Sequence, residues 1–117
     1  MISPAAFRKL ALSLPDTVEA PHFERASFRA KGKIFSTLSE KDGVAMVKLT
    51  REQQEMMTAA EPNVFQRIGN AWGDKGATWM QLKHADKATA LSALKAAWEN
   101  VTVKAPRAKT RGGKKRV

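Results

Sequence analysis

Apolar and β-branched side chains cluster in three short runs near the middle of the chain, as they do in strands. The runs cover residues 26–30, 33–39 and 44–49, and two short gaps, Lys31-Gly32 and Lys41-Asp42-Gly43, separate them. Glycine in a gap of this length can adopt the positive φ that hairpin turns require. The pattern predicts a three-stranded antiparallel meander, and one face of such a sheet needs an apolar cover.

Three other segments have the apolar spacing of amphipathic helices. The first starts at Ser3-Pro4 and ends at Leu14-Pro15, because proline disfavours helical geometry in the residue before it. The second starts with the capping box of Thr50 and Gln53 and reaches about residue 60, and the third follows the N-cap Asp86. The side chains predicted to form the core are Phe7, Leu10, Leu14, Ile34, Leu38, Val47, Leu91, Leu94 and Trp98.

Two further strands are predicted at residues 65–72 and 77–83, joined by the turn Gly73-Asp74-Lys75-Gly76. The segment of residues 14–23 contains two prolines and is predicted to be a loop. Residues 1–103 therefore predict one α+β domain with about five mainly antiparallel strands in two hairpins, packed against helices. The predicted order is one helix, three strands, a helix, two strands and a last helix, with the first and last helices together on one face of the sheet.

Composition limits the class of protein. The 117 residues suffice for one core, and the hydrophobic fraction of 43% is ordinary for a globular domain. The absence of cysteine excludes disulfides and thiolate metal sites. Arg8 and Lys9 interrupt the N-terminal apolar residues, so we expect no export signal, and no apolar run approaches the ~18 residues of a membrane span. We expect a cytoplasmic protein with no membrane contact.

The net charge of +10 is concentrated at the C-terminus. Residues 104–117 hold seven of the 21 basic residues and no acidic one, which leaves 14 basic and 11 acidic residues, a net charge of +3, in residues 1–103. The end of the chain also has almost no apolar bulk, so we predict a disordered basic tail. The basic residues of this tail are Lys104, Arg107, Lys109, Arg111, Lys114, Lys115 and Arg116.

Few residues could support catalysis or metal binding. The chain has no glycine-rich phosphate loop, no zinc-protease motif, no cysteine and no tyrosine, and its two histidines are His22 and His84. Asp16, Glu19 and Glu24 lie near His22 and form the best acid–base or metal-binding constellation. A polar surface connection is the favoured interpretation of this segment, because no second histidine completes a ligand set. We therefore predict no catalytic residues, no metal and no cofactor.

Several segments in a fixed order resemble the MmcQ/YjbR family of small, mainly bacterial proteins. They are L-P-D-T-V-E, S-F-R-A-K-G-K-I-F-S-T-L, V-K-L-T-R-E-Q, W-M-Q-L and a closing helix ending near Trp98, and together they span roughly residues 3–103. The resemblance implies an α+β fold related in shape to frataxin, with two hairpins in a double-wing, DNA-binding-like arrangement, and it implies no catalytic residue or cofactor. The acidic ridge that frataxin-type proteins use for iron is not matched, since the first helix carries Arg8 and Lys9.

The combined prediction is a non-enzymatic, monomeric DNA-binding protein of this family that contacts phosphates. Its predicted nucleic-acid-binding residues are Arg25, Arg29, Lys31 and Lys33 around the first hairpin, Lys75 in the second, and the seven basic residues of the tail. One alternative is a protein- or peptide-interaction module using Trp72 or Trp79 on the sheet, although core packing is favoured for both tryptophans. A second alternative is an uncharacterised enzyme or metal-binding protein.

Overall fold

One antiparallel sheet organises the structure, a computed structural model that describes residues 1–103. Neighbouring strands follow the order β1-β2-β3-β4-β6-β5, and every pair is antiparallel. The strands are β1 (Thr17–His22), β2 (Arg25–Ala30), β3 (Lys33–Ser39), β4 (Val44–Lys48), β5 (Phe65–Arg67) and β6 (Ala77–Gln81). The prediction of a mainly antiparallel α+β domain is confirmed, and β2, β3 and β4 form the predicted meander.

The helices are α1 (Pro4–Leu12), α2 (Arg51–Ala60), α3 (Ala71–Asp74) and α4 (Lys87–Thr102), with a 3₁₀ turn at Leu82–His84. The predicted caps are confirmed. The Ser3 hydroxyl accepts a hydrogen bond from the Ala6 N–H, and Thr50 and Gln53 form both bonds of a capping box. The N–H of Thr89 donates to the carboxylate of Asp86 at 2.7 Å and thereby lowers the pKa of that group. Within residues 1–103, no helix has the length and apolar character needed to cross a bilayer.

The core lies between α1 and α4 on one side and the central strands on the other. Phe7 of α1 packs edge-on against Phe28 of β2, with ring centroids 6.1 Å apart. The inward side of α4 consists of Leu94 and three alanines, which let this helix lie close against β3 and β4. Arg8 anchors α1 to the sheet through ion pairs with Glu40 and Glu19, and these contacts raise the pKa of its guanidinium.

The prediction of a loop at residues 14–23 is wrong for most of its length. Thr17–His22 forms β1, a strand in addition to the five that were predicted. In the part of the chain that the structure describes, β1 lies at the edge of the sheet and pairs only with β2. An edge strand tolerates proline, here Pro21, since one of its sides makes no ladder bonds. The polar composition of β1 indicates no strand by itself, and its extended conformation depends on pairing with β2.

The predicted second hairpin is also corrected. β5 ends at Arg67, and α3 occupies much of the segment predicted as strand and turn, so β5 and β6 pair without a tight turn between them. Asn70 caps α3 by accepting hydrogen bonds from the N–H groups of Trp72 and Gly73. Gly73 is buried against Ile68, and a Cβ at this position would overlap the Ile68 carbonyl. The glycine therefore permits close packing and does not mark a hairpin turn.

The core prediction is confirmed for Phe7, Leu10, Leu38, Val47 and Leu94. It is wrong for Leu91, whose side chain is 36% exposed on α4, and Leu14 and Trp98 lie partly buried at the margin of the core. Ile34 is only partly buried because a β-bulge shifts the register: Phe28 pairs with Ser36 and Arg29 with Ile34, which leaves Phe35 unpaired. Phe35 occupies the core in its place, with no exposed area.

Candidate nucleic-acid interface

The two faces of the sheet differ in what covers them. Cross-strand partners point to the same side of a sheet, so the register divides the strand residues into two sets. Phe28, Leu38, Val47 and Met80 belong to the set that packs against α1 and α4. The other set, which we call the open face, has no member in the core cluster formed by residues 1–103. The open face comprises Val18, Ala20, His22, Arg25, Ser27, Arg29, Ile34, Thr37, Ser39, Val44, Met46, Lys48, Gln66, Ala77, Trp79 and Gln81.

The open face is positively charged. Arg25 and Arg29 lie on it four residues apart on β2, and Lys48 ends β4 on the same side. No strand position of this face is aspartate or glutamate. At the rim of this face, Asp42, in the turn after β3, accepts a hydrogen bond from the Ser39 hydroxyl at 3.0 Å. The strand positions of this face thus carry three cationic side chains and no acidic one.

A cation–π contact crosses this face. The guanidinium carbon of Arg25 lies 5.1 Å from the centre of the Trp79 ring, although β3 and β4 separate their two strands. Ser27, Thr37 and Ser39 are buried on the same face. Because the helices of residues 1–103 pack on the other face, the burial of these three residues indicates that the longer side chains around them form the cover. The open face therefore has a floor of small hydroxyl side chains beneath Arg25, Trp79 and their neighbours.

In this position, one hydrogen-bond donor of Arg25 is left without an acceptor among the described residues. Its Nη1 atom is buried and has no hydrogen-bond partner within residues 1–103. A buried donor without an acceptor costs on the order of 1–3 kcal/mol, and a cation–π contact contributes about 0.5–2 kcal/mol. The two effects roughly cancel, so an acceptor supplied from outside would favour movement of the guanidinium away from the ring. Arg29 differs, since its Nε donates to the Ser27 hydroxyl at 3.3 Å.

The first hairpin is tight and basic at its tip, as predicted. Lys31 and Gly32 form a two-residue turn with φ values of 52° and 78°. Lys31 is exposed at the end of β2, close to the open face, whereas Lys33 pairs with Ala30 and belongs to the helix-packed side. The register therefore places Arg25 and Arg29 on the open face and Lys33 on the other side, and Lys31 is exposed in the turn between them.

Lys75 lies elsewhere at the same end of the sheet. It follows α3 and precedes β6, and β3 and β4 stand between β6 and the first hairpin. Its neighbour Asp74 forms an ion pair with Arg67, so the surroundings of Lys75 carry little net charge. Lys75 is thus separated from the basic residues of the first hairpin. The seven basic residues of the predicted tail fall outside the residues that the structure describes.

The sequence prediction did not identify two features of the open face, Lys48 and the exposed side of Trp79. Core packing was the favoured interpretation of Trp72 and Trp79, but Trp72 is 69% exposed on α3 and Trp79 is partly exposed on the open face. The alternation of Trp79 and Gln81 with Met80 and Leu82 did carry a signal, because it assigns the first pair to the wetter side. That Arg25 and Arg29 lie on the same face as Trp79 follows only from the strand register.

The acidic segment around His22 does not form a constellation. Glu19 points to the helix-packed side of β1, where it pairs with Arg8, while His22 belongs to the open face and contacts the ring of Phe23. In the described part of the chain, no group of three or more His, Cys, Asp or Glu side chains could hold a metal ion. A recess of about 610 Å³ near the N-terminus is lined by apolar residues, Ser3, Lys9 and Lys87, and neither histidine lines it.

These features define an α+β protein with a six-stranded antiparallel sheet that is covered by helices on one face and is open and basic on the other. A sequence model of the YjbR family matches residues 12–108. The chain belongs to the YjbR family, which confirms the resemblance noted from the sequence. No curated protein matches the sequence.

A solved structure supports the fold assignment. Protein DR2400 of Deinococcus radiodurans, described as a DUF419 domain, superposes with a TM-score of 0.76. The match covers 89% of this chain and 81% of DR2400 at 18% sequence identity. At that identity the similarity establishes a shared fold and carries no information on ligand or activity.

Proposed function

We propose that this protein is a non-enzymatic, monomeric nucleic-acid-binding protein of the cytoplasm, with DNA as its partner and no membrane contact. The observation that carries the proposal is the charge of the open face. Arg25, Arg29 and Lys48 lie on it, and none of the 11 acidic residues of the chain occupies a strand position there. A surface of this kind attracts polyanions, and phosphate contacts supply most of the affinity in sequence-independent binding.

The positions of the cations along β2 suit a phosphate backbone, provided that the Arg25 guanidinium leaves the Trp79 ring. Arg25, Arg29 and Lys31 follow one another along β2 and the adjoining turn. Four residues of strand span about 13 Å, which is close to the advance of four nucleotides along one strand of B-DNA. Arginine can hold a phosphate through two parallel hydrogen bonds. This row therefore positions a nucleic acid without reading its bases.

The other predicted cations act at longer range in this proposal. Lys33 and Lys75 lie at the hairpin end of the sheet but outside the row of Arg25, Arg29 and Lys31, so we assign them a contribution to attraction and none to docking. The seven basic residues among residues 104–117 add charge without acidic neighbours. They would raise the rate of encounter and the salt dependence of binding.

The test compares two double variants that lose the same charge from different surfaces. Arg25→Gln/Arg29→Gln alters the open face, and Lys87→Gln/Lys95→Gln alters exposed positions on α4. Binding of a labelled DNA duplex and of a single strand is followed by fluorescence anisotropy as the salt concentration is raised. On duplex DNA the first variant should lower the slope of log affinity against log salt by nearly 2, at about 0.9 per lost phosphate contact, while the second should change it little. Equal effects of the two variants would refute the assignment of the open face.

A protein- or peptide-interaction module is the second candidate. The observation that favours it is the edge strand β1, which pairs only with β2 and carries Val18, 61% exposed. An extended peptide could add to such an edge through main-chain hydrogen bonds. If the full-length protein shows no salt-sensitive binding to duplex or single-stranded nucleic acid, the nucleic-acid proposal is refuted and this second candidate becomes the better account.

A further inference from the structure

Trp79 lies on the open face, on the strand next to the β5 edge of the sheet. In register, Trp79 pairs with Met46 of β4 on one side and with Gln66 of β5 on the other. The Gln66 amide is fixed, since its Nε2 donates to the Pro62 carbonyl at 2.7 Å and its Oε1 accepts from Gln81 at 2.9 Å. The indole is thus set among polar groups that are already oriented, next to the cation of Arg25.

We propose that the open face binds single-stranded nucleic acid, with one unpaired base stacked on the Trp79 ring. The inference rests on the proposed function and specifies its ligand as a single strand. The guanidinium of Arg25 moves from the ring to a phosphate of that strand, which gives the unpartnered Nη1 an acceptor and frees the face of the indole. Arg25 in its observed position thereby occupies the place that the base takes when the strand binds.

The position of the ring favours a single strand over a duplex. Bases in a duplex are stacked on one another and present only their edges in the grooves, whereas an unpaired base offers a face to an aromatic side chain. An indole on a sheet reaches the bases of a duplex only when the duplex is kinked and a base step is unstacked, which costs a few kcal/mol, whereas an unpaired base needs no such deformation. Proteins that bind single strands combine an aromatic platform with a cationic path for the backbone. Here Trp79 is the platform, and Arg25, Arg29 and Lys31 form the path.

The test uses variants that separate stacking from charge. Trp79→Leu keeps an apolar side chain over the floor of the open face but removes the ring, and Trp79→Phe keeps a smaller ring. Trp72→Leu is the matched control, because Trp72 is exposed on α3, outside the open face. Each full-length variant is titrated against oligothymidylate and oligouridylate of about 12 nucleotides, within the usual range of site sizes, and against a duplex of equal length. Circular dichroism verifies that each variant is folded.

We expect Trp79→Leu to weaken single-strand binding by roughly 5- to 150-fold, the range that corresponds to loss of one stacked base. Trp79→Phe should retain most of the affinity, Trp72→Leu should match the wild type, and the duplex affinity of Trp79→Leu should be unchanged. The ratio of the thymidylate and uridylate affinities identifies DNA or RNA as the preferred strand.

Two results would overturn the inference. In the first, Trp79→Leu leaves the single-strand affinity unchanged; in the second, it lowers single-strand and duplex affinity by the same factor. If Arg25→Gln/Arg29→Gln still weakens binding in that case, the proposed function stands and only the stacking of a base on Trp79 is refuted. If the wild type binds none of the oligonucleotides, both proposals fail together.

Discussion

Replacing Leu94 with alanine should destabilise the protein strongly, because α4 packs through this residue. Leu94 has no exposed area, and Ala90, Ala93 and Ala97 flank it on the inward side of the helix. Leu→Ala substitutions at buried sites cost about 2–5 kcal/mol, with the larger values where the surroundings cannot close the cavity. Small alanines leave few atoms that could move into the space, so we expect a cost in the upper half of that range.

Leu91→Ala is the control for this prediction. It makes the same change one turn away on α4, where the side chain is 36% exposed, and we expect it to cost about 1 kcal/mol or less. Urea denaturation followed by circular dichroism gives both free energies of unfolding. At about 4 °C per kcal/mol, Leu94→Ala should also lower Tm by roughly 14–20 °C. Equal destabilisation by the two substitutions would mean that α4 faces the sheet differently, and it would refute this account of the core.

Two further predictions concern α3 and the end of the chain. Gly73→Ala should lower the free energy of unfolding by ~1–3 kcal/mol or more, because the added methyl group would overlap the Ile68 carbonyl. Gly69→Ala is the control, since its methyl group would meet no atom within 4 Å and its effect should be nearly neutral. Similar melting temperatures of the two variants would contradict this packing. Removing residues 104–117 should lower the slope of log duplex affinity against log salt by several units, at about 0.9 per phosphate, without altering sequence preference; an unchanged slope would show that these seven cations do not contact the nucleic acid.

Local chemistry was enough to predict the elements whose signals lie within a few residues. Ser3, Thr50 and Asp86 each cap the helix that the sequence assigned to them, and Lys31-Gly32 forms the predicted turn. These features depend on one side chain and the backbone next to it. They can therefore be predicted without knowledge of the rest of the fold.

Features that depend on a distant partner were missed. β1 is extended because β2 pairs with it, and Gly73 is required by the approach of Ile68 and not by a turn. The β-bulge at Phe35 is a similar case. It turns Phe35 toward the core and Ile34 toward the open face, and it arises from the pairing of β3 with β2. None of these constraints is visible in a local window of sequence.

The candidate interface could be predicted only in part for the same reason. The cluster of Arg25, Arg29 and Lys31 is evident because its members are neighbours in the sequence. The contact between Arg25 and Trp79 joins residues 54 positions apart and requires the order of four strands. Lys48 likewise joins the interface only through the register of β4.

The most direct test of the central claim is a map of the bound surface. Backbone amide shifts in ¹⁵N NMR spectra of the full-length protein are followed as a single-stranded oligonucleotide is added. We predict that the largest changes occur on the open face and its hairpin, at residues such as Arg29, Lys31, Thr37 and Trp79, and that the exposed side of α4 around Lys95 changes little. Changes centred on α4, or spread evenly over both faces of the sheet, would contradict the claim that the open face is the nucleic-acid interface.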